Sequence, residues 1–119
     1  MRKIPEDLQD KLAADPFYER CCITGAYKRH TRIEWHHNFI FAGRQVNEEW
    51  CVLPVAKEVH DQMHDPRIRE ECDWIMLNRA DGATLQLYSK AVDLTKRRDM
   101  LNRMYGGKWK PFAEGGRIT

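Results

Sequence analysis

Leu8 and Leu12 stand four residues apart between Pro5 and about Ala14, which puts both on one face of a short helix. Asp15-Pro16 ends it, because the residue before a proline is pushed out of the helical region. Cys22-Ile23-Thr24-Gly25 reads as a turn. Thr31 to His37, with Ile33, Trp35 and a β-branched Thr, reads as a strand. Phe39-Ile40-Phe41 continues that strand or begins a turn, and Ala42-Gly43-Arg44 is a loop signal. Trp50-Cys51-Val52-Leu53 is a second strand, stopped by Pro54, which has no ladder donor. The two strands are expected to form a hairpin with a long connection.

Downstream, the apolar spacing is helical. Ala56 to His64 reads as a short helix with Val59 and Met63 inward and His60 and His64 on the adjacent face. Asp65 is the expected N-cap and Pro66 the first residue of a further helix. That helix runs to about Arg79, with Ile68, Cys72, Ile75 and Met76 inward, and Asp81-Gly82 breaks it. A short helix near Leu85–Lys90 and a longer one near Val92–Tyr105 follow, the last ended by Gly106-Gly107. Residues 108–119 read as a mobile basic tail, with Trp109 and Phe112 able to pack back. The pattern is that of one α+β domain over residues 1–119: a core at about 21–64, a helical part at 65–106 and a basic tail at 107–119.

With 119 residues, 42% apolar and 32% charged, the chain can bury one modest core. No run approaches the roughly 20 apolar residues of a membrane span. Residues Met1 to Glu6 lack the apolar centre of a signal peptide, so a cytoplasmic location and no membrane partner are expected. Cys21, Cys22, Cys51 and Cys72 are then thiols, most simply small buried hydrophobes. A net charge of +2 argues for no particular partner, but its distribution does. Residues 93–119 hold seven Lys/Arg against three Asp/Glu, and Lys28, Arg29 and Arg32 cluster around His30. Together with Arg44, Lys108 and Lys110, these residues are candidates for tracking a phosphate backbone.

Four of the five histidines form one constellation: His36-His37, then, after 22 intervening residues, His60-Asp61-Gln62-Met63-His64. On a helix, His60 and His64 project from one face and can chelate one divalent cation. The His-His pair can supply a third ligand and leave the fourth imidazole for acid/base work. On a strand, Glu34 and His36 share a face and His37 points away from it.

Strand with His-His, loop, strand, then His-x3-His resembles the HNH endonuclease family, the ββα-metal nucleases. Its colicin-type DNase branch has a similar gap, and the resemblance covers about Glu34 to His64. It implies a ββα-metal core surrounded by additional helices. It also implies metal-dependent hydrolysis of DNA, double-stranded DNA being the expected partner, with His36, His60 and His64 holding one divalent ion (Zn, Mg, Mn or Ni). His37 would be the general base. Glu34 matches an acidic position that places a basic residue near the substrate phosphate. The chain departs from the family at its middle Asn, where it has Cys51 or Val52. Asn47, earlier in the loop, is the residue that could orient His37 instead. The chain also lacks the paired Cys-x-x-Cys knuckles of many relatives; Cys22–Gly25 resembles a knuckle short of one ligand. Two rival readings are a non-catalytic, zinc-stabilised nucleic-acid-binding module and a metallohydrolase of small phosphoesters.

Overall fold

The computed structural model describes residues 4–110. In order it contains α1 (Glu6–Ala14), a 3₁₀ turn (Pro16–Glu19), β1 (Ile33–His37), β2 (Ile40–Phe41), β3 (Arg44–Gln45) and a second 3₁₀ turn (Glu49–Cys51). Then come β4 (Val52–Ala56), α2 (Lys57–His60), α3 (Pro66–Arg79), α4 (Gly82–Leu87) and α5 (Leu94–Met104). The fold is mixed α+β. No helix among the described residues is long and apolar enough to cross a membrane.

β1 and β4 pair antiparallel, with Ile33 opposite Ala56, Trp35 opposite Pro54 and His37 opposite Val52. Pro54 was expected to stop the second strand, yet it lies in the middle of β4. Its carbonyl accepts from the Cys22 amide at 2.9 Å, away from β1. The N and O of one strand residue point to the same side, so the missing N–H of Pro54 also faces away from β1 and costs the ladder nothing. Trp50 and Cys51 lie in the 3₁₀ turn before the strand, not in it. Tyr18 Oη donates to the Glu49 carbonyl at 2.9 Å and to that of Val52 at 2.7 Å, so it anchors this turn to β4.

The long connection between β1 and β4 holds a hairpin of its own. β2 and β3 join through Ala42 and Gly43, at φ 52° and 77°, the left-handed pair that two-residue hairpins favour. Phe39, Phe41, Trp50 and Tyr88 pack it down, with the Phe41 and Tyr88 ring centroids 5.0 Å apart.

β4 is buried along its whole length. Leu53 and Val55 join Cys72, Ile75, Met76 and Leu77 of α3, together with Leu85, Leu94 and Leu101. The inward set expected on α3 is buried, except that Ile68 is half-buried. All four cysteines are buried free thiols. Val52 and Trp35 meet Ile4, Leu12 and Tyr18 in a smaller cluster on the other side. Trp109 packs edge-on against Phe17 at 5.7 Å, as expected; Phe112 and the rest of the tail from 111 onward lie outside the described residues.

Aspartate side chains cap three helices. Asp65 accepts from the Arg67 amide, Asp81 from Thr84 and Asp93 from Lys96. The expected helices near Leu85–Lys90 and Val92–Tyr105 therefore begin at Gly82 and Leu94, directly after those caps. Because α5 supplies Leu94 and Leu101 to the core, its cap is coupled to global stability. Asp93→Ala should lower the unfolding free energy by about 0.5–2 kcal/mol, read from urea denaturation. An unchanged midpoint would show that the α5 N-terminus is already frayed.

Candidate functional site

Strand parity separates the two adjacent histidines. Glu34, His36 and Asn38 fall on one face of β1 and its extension, where the Asn38 amide still donates to the Cys51 carbonyl. His37 falls on the face of Ile33 and Trp35, and is only 8% exposed.

Each of three histidines has one ring nitrogen held by an oxygen. His60 Nδ1 lies 2.8 Å from Glu34 Oε1, and a carboxylate can only accept, so Nδ1 carries the hydrogen and Nε2 is left with a lone pair. His36 Nε2 meets Asn38 Oδ1 at 3.0 Å. His37 Nε2 meets Asn47 Oδ1 at 3.0 Å. Asn47, expected as a shifted substitute for the family's Asn, is thus in contact with the expected base. With the amide oxygen accepting, His37 keeps its proton on Nε2 and its lone pair on Nδ1. That Nδ1 is buried and has no hydrogen-bond partner among the described residues.

His36 and His60 stand edge to face with ring centroids 5.2 Å apart. Burial pushes the His36 imidazole down to about 4, opposed by the bond to Asn38 and reinforced by His60 and His37. It is therefore neutral at neutral pH, the form that can donate a lone pair.

His64 does not join them. The helix expected over Ala56–His64 is only Lys57–His60. Beyond Asp61 the amides reach back three residues, Gln62 to Val59 at 2.9 Å and Met63 to His60 at 3.2 Å. That tighter turn departs from the α-helical spacing that was expected to stack His64 over His60. Asp65-Pro66 explains the tightening, since the chain must leave the helical region before the proline. His64 is exposed and makes no hydrogen bond to the described residues. Among the described residues no group of three or more His, Cys, Asp or Glu is arranged to hold a metal ion. His36 and His60 fit a divalent cation as a pair: each ring has one nitrogen oriented by an oxygen and the other nitrogen left for the ion.

Glu34 also binds Arg32 Nε at 3.2 Å, joining that guanidinium to the histidine pair. Arg32, Glu34, Trp35, His37 and His60 line one open depression of about 560 Å³. Lys28 borders a neighbouring hollow that shares Arg32 and Trp35, and is ion-paired to Glu19 at 3.0 Å. The Arg29 guanidinium lies 4.8 Å from the Tyr27 ring centroid, and its Nε is 3.2 Å from His30 Nε2. Arg44 is exposed on β3, and Lys108 and Lys110 are exposed beyond α5. Lys108 borders a separate hollow with Arg98 and Asn102.

Sequence reading overlooked Asn38, which binds His36, and Asp73 of α3, which binds Asn38 in turn at 3.0 Å. The position of Asn38 two residues after His36 was the available signal; Asp73 is 35 residues away and had none. Comparison with protein-family models, with curated proteins and with solved structures finds no match to this chain.

The depressed His36 value has a consequence for stability. The unfolded imidazole takes up a proton near pH 6.5, the folded one only near pH 4. The contribution is therefore complete above pH 6.5 and lost as pH falls toward 4, by at most ~3 kcal/mol. Urea denaturation of metal-free protein across this window should show the decline, and His36→Gln should flatten it. Parallel pH curves for parent and variant would contradict the assignment.

Proposed function

We propose that the chain is a metal-dependent endonuclease of the HNH type that hydrolyses DNA phosphodiesters. β1, β4 and α2 would serve as its ββα-metal core. One observation carries the reading: His36, His37 and His60 each have one ring nitrogen tied to a side-chain oxygen, which orients the ring and leaves the other nitrogen for a ligand or a proton. A core histidine retained only for packing has no need of that arrangement.

His36 and His60 would hold the cation, with exposed His64 turning in as the third ligand. Three neutral imidazoles leave the ion its full charge and open positions. A divalent ion held by these residues would supply Lewis-acid charge that stabilises the phosphodiester as it is cleaved. His37 takes the proton of the attacking water on Nδ1, while its Nε2–H stays on the Asn47 carbonyl oxygen, which steadies the imidazolium. The buried Nδ1 meets that water once the rim of the depression beside Trp35 parts around substrate. Arg32, held by Glu34, faces the phosphate. Lys28, Arg29, Arg44, Lys108 and Lys110 follow the backbone on either side, a distribution suited to duplex DNA.

Supercoiled plasmid incubated with the protein and Mg, Mn, Ni or Zn should be nicked or linearised, and EDTA should stop it. Binding without cleavage under every metal would favour the non-catalytic nucleic-acid-binding module. His37→Ala should cost about 10²–10⁴-fold in cleavage rate while leaving metal affinity nearly intact. His36→Ala and His60→Ala should lose both. Calorimetric titration separates the two classes, and loss of metal in His37→Ala would mean that His37 is a ligand.

Charge on the flanking lysines makes a separate prediction. Lys108→Gln with Lys110→Gln should flatten the log–log salt dependence of duplex binding by up to about two units, at roughly 0.9 per phosphate contact. An unchanged slope would place these lysines outside the DNA interface.

A further inference from the structure

Nothing in the reading above accounts for Asp73, or for the polar contacts that run from His36 into α3 and α5. Those contacts form a line across three elements. His36 Nε2 meets Asn38 Oδ1 at 3.0 Å, Asn38 Nδ2 donates to Asp73 Oδ1 at 3.0 Å, and Arg97 of α5 donates to Asp73 Oδ2 at 3.1 Å. Asn38 Nδ2 also approaches Met76 Sδ of α3 at 3.4 Å. All four residues of the line are half-buried.

Donor and acceptor rules give this line a direction. The Asp73 carboxylate can only accept, so the amide of Asn38 must turn its NH₂ toward α3 and its oxygen toward His36. That oxygen can also only accept. His36 must then carry its proton on Nε2, and its lone pair is confined to Nδ1. The ion pair with Arg97 holds the second carboxylate oxygen, so Asp73 is fixed from both sides. The Asn47 contact of His37 has no comparable outer partner.

We propose that Asn38 and Asp73 are positioning residues that lock His36 in its Nε2-protonated form and aim Nδ1 at the cation, with Arg97 as their anchor on α5. The metal part of this rests on the function proposed above; the tautomer part does not. Neither residue touches substrate or ion. They act on which nitrogen is free and on the angle of the ring, as partners one step behind metal ligands do.

The test uses ¹⁵N-labelled, metal-free protein of full length. Long-range ¹H–¹⁵N correlation of the histidine rings at neutral pH should show His36 protonated on Nε2 and unprotonated on Nδ1. Asn38→Ala and the near-isosteric Asp73→Asn should both convert this to a mixture of forms, while the His60 pattern stays as in the parent. Titration of Zn²⁺ into the same proteins should show about 10–100-fold weaker binding in both variants. On plasmid, kcat should fall with KM little changed. Ring patterns identical to the parent in both variants would overturn the proposal, as would equal Zn²⁺ affinity. A parent with the expected His36 pattern, lost in both variants, that binds no metal would keep the tethering and remove the metal reading instead.

Discussion

The pairing parity of β1 with β4 governs the rest of this molecule. Because Trp35 lies opposite Pro54, the odd-numbered residues of β1 turn their backbone groups away from β4 and the even-numbered ones turn toward it. The same alternation sends Glu34, His36 and Asn38 to the face that meets α2 and α3, and His37 to the face that meets Asn47. A shift of one residue would exchange these faces, bury Glu34 against the Leu12 cluster and dissolve every contact made by the histidines. Hydrophobic burial enforces the choice: Leu53 and Val55 must face α3, and Val52 must face Tyr18.

Polar groups at the site are distributed by what each can accept. Glu34 serves two cationic or protic partners, Arg32 and His60, with a different oxygen for each. Asn38 splits its amide between an imidazole and a carboxylate. In the interior such groups are costly unless paired, so the pairs also act as constraints on ring orientation. His37 Nδ1 is the exception at this site, a buried ring nitrogen with no hydrogen-bond partner among the described residues.

Much of this was legible from residue order. The α1 stripe, the Asp65-Pro66 helix start and the inward face of α3 follow from spacing and capping, which are local. So was Asn47: a polar side chain in the connection that follows the His36-His37 strand. Pro54 misled because its effect depends on which way its nitrogen faces, and that is set by Cys22, 32 residues earlier. The helix expected over Ala56–His64 is too long because a four-residue spacing implies an α-helix only where one lasts, and Asp65-Pro66 tightens the turn after His60. Asp73 was silent because its role exists only after α3 has packed across the end of β1.

Pro54 has one more effect. Any slip of β4 by a single residue would put the position lacking an N–H where β1 needs a donor, so wrong pairings carry a penalty built into the strand itself. Alignment of the two strands is therefore encoded within them and not by the length of chain that joins them. The excursion through β2 and β3, closed by its own Ala42-Gly43 turn, does not set that register; it carries the chain to Asn47 and so to His37.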